Sequence, residues 1–335
     1  MRFARTLFVF ALLPTLVFAQ KKKDNRSGYD RSARATVLHT ANVYATADSS
    51  NQPLTTVTEG HEVVVLAHSD GWARVFANTD AKDDADDDDE SKPEFSEEAG
   101  DPNTGWIHDK GIVGPTTPNG DAILYGEAAR LEAAAAEPHA PKGAAEAAHL
   151  LYRRVADYFP QSPLAAESLF RSADIRWQID KADISSLPSA HEQEAYLRPQ
   201  LYEGSFKRVM KRYPDSPYAA RAAFVLLDNK LCGDWQGLPK CPEMEAGLYA
   251  KYAERYPGGP RSAEALYNAA YREGVIVTMY KVDENNKRAD AAAKNCASLA
   301  AELRAKYPQS DFTPRAEAIA FRVAQGIPVI GNDRE

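Results

Sequence analysis

Basic residues are the minority in this 335-residue chain: 40 Lys and Arg stand against 48 Asp and Glu, a formal net charge of -8. Neutralising a phosphate backbone needs a basic face, so nucleic acid is not an expected partner. Beyond residue 20 the chain has no apolar run of the roughly 20 residues that a membrane helix requires, so no span is expected there. Nucleophile motifs are missing as well. All seven histidines precede the first cysteine, Cys232, the reverse of the order used by cysteine–histidine peptidases. "HEQEA" at 191–195 begins like a zinc-protease helix, but Ala195 stands where the second ligand should be. There is no G-x-S-x-G elbow and no P-loop. Carboxylates are plentiful, yet on helices they decorate solvated faces. The expectation is a chain that is not an enzyme and that uses no cofactor and no metal.

Cysteine is scarce, with three residues in all. "LCGDWQGLPKC" places Cys232 and Cys241 around a short loop rich in Gly and Pro. In an oxidising compartment these two form the disulfide candidate. Cys296 lies in the helical pattern "AAAKNCASLAAEL", where it is expected as a buried small hydrophobe.

What is present begins with an export signal. "MRFARTLFVFALLPTLVFAQ" has Arg2 and Arg5, an apolar run from Leu7 to Phe18, and small residues before a cleavage point between Ala19 and Gln20. Residues 1–19 are therefore expected to be a signal peptide and 20–34 a disordered leader. No cysteine follows the apolar run for lipid attachment, so a periplasmic or secreted location is expected.

From residue 35 short alternating runs read as strands: "ATVLHTANVYATA", two strands broken at Glu59–Gly60, "DGWARVFA" and "TGWIHDKGIV". Turn signals between short strands suggest a small barrel. The matches Asn42–Val43, Gly60, Gly71–Trp72–Ala73–Arg74–Val75 and Gly105–Trp106–Ile107 resemble the bacterial SH3-like domain over 35–113, with Tyr44 in place of the usual Arg. The resemblance implies a groove for cell-wall peptides or protein segments, with Tyr44, Trp72 and Trp106 as ligand-binding candidates. A tryptophan after glycine also suits closure of a small core, the place expected here for Trp72 and Trp106. Tyr44 suits a wet groove. An insert at 77–104, "ANTDAKDDADDDDESKPEFSEEAGDPNT", separates the two Gly–Trp strands. No frame in it meets the glycine and acid positions of an EF-hand, so a solvated acidic loop is expected.

Residues 114–142 read as a linker carrying a short helix, "AILYGEAARLEAAAAE". From 143 onward an aromatic–proline step recurs four times, at Phe159–Pro160, Tyr213–Pro214, Tyr256–Pro257 and Tyr307–Pro308. Apolar residues four, seven and eight positions earlier make one helical face. The proline ends that helix, and small residues open the next. Each copy is thus a helix–turn–helix unit that must stack to bury its face. The texture resembles the tetratricopeptide-like repeats of periplasmic outer-membrane assembly lipoproteins and the Tol–Pal coordinator over 143–325. The fold expected for the chain is a small all-β SH3-like barrel followed by an all-α helical-hairpin solenoid at 143–335. The function expected is an exported scaffold of the bacterial cell envelope that binds a protein partner through its repeats. The alternative is a peptidoglycan-binding protein in which the barrel binds and the repeats space it. A cell-wall hydrolase ranks third, on the missing motifs.

Overall fold

A computed structural model describes residues 33–80 and 103–331. The expected signal peptide with its expected cleavage point at Ala19–Gln20, the expected leader through residue 32, and residues 81–102 of the acidic insert lie outside the described residues.

The first unit is antiparallel. Its strands are β1 (Arg34–Val37), β2 (Ala41–Val43), β3 (Thr55–Val57), β4 (Glu62–Ser69), β5 (Trp72–Ala77), β6 (Asn103–His108) and β7 (Ile112–Val113). Five pair in the order β6-β5-β4-β1-β7, and β2 pairs with β3. A bridge from Tyr44 to Trp106 ties the pair to β6. Strand alternation decides what is inside. Ala35, Val63 and Ala77 share a row, as do Val65, Val75 and Gly105, and these rows close over Val37, Val43, Val57 and Ile107. Gly71, with φ of +83°, makes the tight β4–β5 turn that a side chain would strain. The second Gly–Trp glycine has a different reason. A Cβ at Gly105 would lie 2.5 Å from Val43 Cγ1 and 2.6 Å from the Tyr44 carbonyl oxygen, so only glycine lets β6 approach β2.

Nine helices follow among the described residues: α1 (Gly120–Ala135), α2 (Ala144–Tyr158), α3 (Ala165–Ser185), α4 (Gly204–Arg212), α5 (Pro217–Val225), α6 (Lys240–Arg255), α7 (Ser262–Val282), α8 (Asn286–Lys306) and α9 (Phe312–Ala324). None is long and apolar enough to cross a membrane. The stretch expected as a linker carries α1, which packs along α2: Leu124, Ala128 and Leu131 are buried with Ala148, Leu151 and Tyr152. Its apolar stripe is what the linker reading left out.

The four aromatic–proline steps have one conformation. Phe159, Tyr213, Tyr256 and Tyr307 end α2, α4, α6 and α8 at φ of -124°, -133°, -121° and -133°. In each turn the amide two residues past the proline donates to the carbonyl of the aromatic, at 2.9, 3.1, 2.9 and 3.0 Å for Ser162, Ser216, Gly259 and Ser310. The amide three residues further on then donates back to that residue's carbonyl. Pro217 opens α5 at its first turn, where a missing amide costs nothing, and the Ser216 hydroxyl accepts from the Ala219 amide. Pro163 and Pro260 instead sit two residues ahead of α3 and α7, inside the turn.

Successive copies also join in one register. The residue ten past the proline of one copy meets the residue four past the proline of the next. Phe170 lies 5.8 Å from Tyr218 between ring centroids, Arg261 sits 4.6 Å over the Phe224 ring, and Tyr267 lies 5.5 Å from Phe312. In the fourth copy that outgoing position is the exposed Ala318.

The β-unit is bolted to α2. Glu62 of β4 accepts from Arg34 and, at 3.1 Å, from the Tyr158 hydroxyl. Asp80, just past β5, pairs with Arg154 of α2, lies 3.0 Å from His61 and accepts from the Glu62 amide at 3.2 Å. Burial alone would raise the Asp80 carboxyl, but Arg154 and His61 outweigh it and hold the group below the ordinary carboxylate range.

Candidate functional site

The sheet has two faces, and the aromatic candidates lie on the outer one. Trp72, Arg74 and Phe76 alternate with the core residues Ala73, Val75 and Ala77. Across the register Trp72 pairs with His108 and Arg74 with Trp106. Trp72 and Trp106 are both half-buried and stand outside the core cluster. Their expected role in closing the core is therefore corrected: Ala73, Val75 and Ile107 close it. Trp72 stacks on His108 at 4.0 Å and meets Tyr44 edge-on at 5.9 Å. Tyr44, expected to suit a wet groove, is only 9% exposed. The result is a row of rings with exposed Arg74 beside Trp106 and exposed His108 on Trp72. Neither Arg74 nor His108 was singled out from sequence. The signal was there: Arg74 lies between Trp72 and Phe76 in a strand, so both aromatics share its outward face.

The two long interruptions of the repeat come together in space. One is the connection from Ser186 to Glu203 between α3 and α4. The other runs from Asp228 to Pro239 between α5 and α6. The Gly233 amide donates to the Gln193 carbonyl at 3.2 Å, and Gln193 Nε2 donates to the Trp235 carbonyl at 3.3 Å. Arg198 donates to the Leu231 carbonyl at 2.6 Å, and Lys240 pairs with Glu194 at 2.7 Å. Asn229 is buried and bonds both the amide and the carbonyl of Leu201, at 3.1 and 2.8 Å. Gly233 is required here, because a Cβ would lie 2.3 Å from the Glu192 carbonyl oxygen.

Cys232 and Cys241 are joined as a disulfide across the second interruption. Beneath it, Glu245 accepts from the Cys232 amide at 2.8 Å and from Arg272 Nε at 2.7 Å. Both side chains of that ion pair are 1% exposed. The Arg272 guanidinium lies 4.5 Å from the Tyr249 ring centroid and 5.6 Å from that of Trp235. The loop is thus fixed from below by a paired charge and closed by a covalent link. Cys296 is buried in the same cluster as the disulfide, and burial, with Glu273 nearby, pushes its thiol up to about 12.

Held this firmly, the two loops still leave large apolar groups in water. Tyr196 is 77% exposed, and Leu197 and Leu238 are 52% exposed each; Leu187, earlier in the first loop, is exposed as well. Scattered surface leucines need no explanation, but an aromatic and three leucines on two mutually fixed loops form the kind of group that marks a binding surface. Sequence reading placed the two interruptions but not their contact.

The chain matches no protein-family model, and no curated protein is similar to it.

Proposed function

We propose that this chain is an exported, non-enzymatic scaffold of the bacterial cell envelope that binds a protein partner through its helical hairpins. In this reading the hairpins are tetratricopeptide-like repeats forming a solenoid, and the β-unit is an SH3-like barrel that serves as an accessory module. A signal peptide at 1–19 would deliver the chain to the periplasm or beyond. The observation that carries the reading is the pair of fixed loops presenting Tyr196, Leu197, Leu187 and Leu238. Binding hot spots combine a rigid frame with large side chains that gain by leaving water, and this surface has both. The repeated turn and junction supply the frame, since each copy can bury its apolar face only against its neighbours. Pull-down from envelope extract with the full chain tests the reading. A protein retained by the native chain and lost with Leu197→Asp plus Leu238→Asp supports it, and equal retention by both contradicts it.

A second reading rests on a different surface. Half-buried Trp72 and Trp106 and exposed His108, with the buried Tyr44 ring behind Trp72, offer ring surface beside Arg74, chemistry suited to cell-wall peptide or glycan. Here the β-unit binds peptidoglycan and the helices space it. Co-sedimentation with purified peptidoglycan, abolished by Trp106→Ala and untouched by the leucine changes, would favour it.

A further inference from the structure

The junction between copies carries a charge pattern that the repeat itself does not need. Seven residues past each proline stand Glu167, Arg221, Glu264 and Arg315, on α3, α5, α7 and α9. On a helix this position lies on one face with the positions three before and three after it. Those are the two positions that make the junction, so these four charges line one face of the hairpins.

The two acids are satisfied within the chain. Glu167 accepts from the Tyr125 hydroxyl and from Arg171 Nε, both at 2.9 Å. Glu264 accepts from Arg261 at 2.7 Å. The two arginines differ. Arg221 lies 5.1 Å over the Phe170 ring and 5.8 Å over Tyr218, and Arg315 lies 5.6 Å over Phe312. Both are exposed, and neither has a carboxylate within salt-bridge distance among the described residues. Asp174 is the acid that acts on Arg221 from farther away; it is half-buried, and burial raises its carboxyl. A guanidinium stacked on a ring is already oriented, with its N–H edges free. That is the arrangement that takes a carboxylate through two parallel hydrogen bonds with little further ordering.

We infer that Arg221 and Arg315 are anchor points for an extended acidic segment of a partner protein, laid across α5, α7 and α9 with carboxylates at both ends. Neighbouring helices of the row meet through side chains, Phe224 of α5 with Arg261 at the start of α7 and Tyr267 of α7 with Phe312 of α9, a step of about 10 Å each, so two steps span roughly 20 Å. An extended strand covers about 3.3 Å per residue, which places the two acidic positions about six residues apart. Glu264 lies between the arginines and Glu167 outside them; the negative charge of each disfavours acids elsewhere along the track and so sets its register. The inference rests on the reading of the hairpins as a partner-binding array and names the chemistry of what they take.

The probe is a fluorescein-labelled 14-residue peptide of Gly and Ser carrying two Asp–Glu pairs six positions apart, titrated into the full chain by fluorescence anisotropy. A control peptide of the same composition carries the four acids together. Expected are binding of the spaced peptide over the clustered one, a loss of about tenfold for Arg221→Gln and for Arg315→Gln, and partial retention with Lys, which keeps the charge but not the fork. Unchanged thermal melting of each variant shows that the fold is intact. Failure of the spaced peptide to bind, indifference to both arginine variants, or equal arginine-dependent binding of inorganic polyphosphate or anionic phosphatidylglycerol vesicles would each overturn the inference. If these fail while a partner is still lost with the Leu197 and Leu238 changes, the array reading stands and only the acidic chemistry is wrong.

Discussion

Gln193 donates through Nε2 to the Trp235 carbonyl across 3.3 Å, joining two loops that lie 42 residues apart and that each interrupt the repeat. This contact turns two insertions into one fixed surface. The Cys232–Cys241 disulfide closes the second of these loops. Replacing both Cys232 and Cys241 by Ser releases a loop closed over 9 residues, and chain-entropy reasoning gives a loss of about 2–3 kcal/mol. Urea unfolding of the two forms measures it. The same variant should show faster amide exchange at Gly233, whose bond to Gln193 depends on the loop holding its place.

The Glu245–Arg272 pair should behave as a buried pair does when one partner is removed. Glu245→Ala leaves a guanidinium in the core and the Cys232 amide without its acceptor. A loss of about 3–5 kcal/mol is expected, and Glu245→Leu with Arg272→Met should recover a large part of it. Denaturant midpoints of the single and double variants decide this.

Cys296 should be chemically silent in the native protein. Its thiol is raised from an ordinary 9.0 to about 12 by burial, so the thiolate that reacts is almost absent at pH 8. Thiol reagents should label it only when the protein is unfolded. The raised group also has a stability consequence. Between pH 9 and 12 the unfolded chain loses this proton and the folded chain keeps it, so stability falls as pH rises through that window. Cys296→Ala should remove this part of the alkaline fall, read from melting temperature against pH.

The bolt between the β-unit and α2 is expected to fail in acid. Asp80 is held below its ordinary value of 3.8 by Arg154 and His61 in spite of its burial. Its contribution is therefore complete above that value and is lost as pH falls through the lowered folded value. At neutral pH, Asp80→Asn should cost roughly 2–3 kcal/mol, moderated because Glu62 also lies near Arg154 at 3.8 Å. Native and variant stabilities should converge as pH is taken from 5 towards 2.

The junction predicts an asymmetry between equivalent positions. Phe170→Ala removes a buried ring that meets Tyr218 and Phe206, and should cost about 3–5 kcal/mol. Ala318 holds the same place in the fourth copy and is exposed, so Ala318→Phe should change stability by less than about 0.5 kcal/mol. Equal effects would show that the register between copies is not what places these aromatics.

The helical half was legible because its punctuation is local. An aromatic, a proline and a small polar residue fix a turn through bonds spanning three residues, so four similar stretches give four similar turns. The β-half was legible in its strands and glycines, and the faces of Trp72 and Trp106 were misassigned only because the charge of Arg74 between two aromatics was not weighed. The meeting of the two loops could not be read. It depends on Gln193, Asn229 and Gly233, whose partners lie 28 to 42 residues away, and no local pattern announces them. The alternation Glu167, Arg221, Glu264, Arg315 was visible in the letters, but which two charges are paired is known only from their neighbours in space.

The central claim, that a partner protein meets this chain on the loops between its repeats, is tested most directly by a photo-reactive amino acid at position 196 in the full chain, activated in living cells. The account predicts discrete crosslinked protein species from position 196 that disappear with Leu197→Asp and Leu238→Asp. Crosslinks from the same amino acid at position 72 alone, with none from 196, would contradict it and move binding to the β-unit.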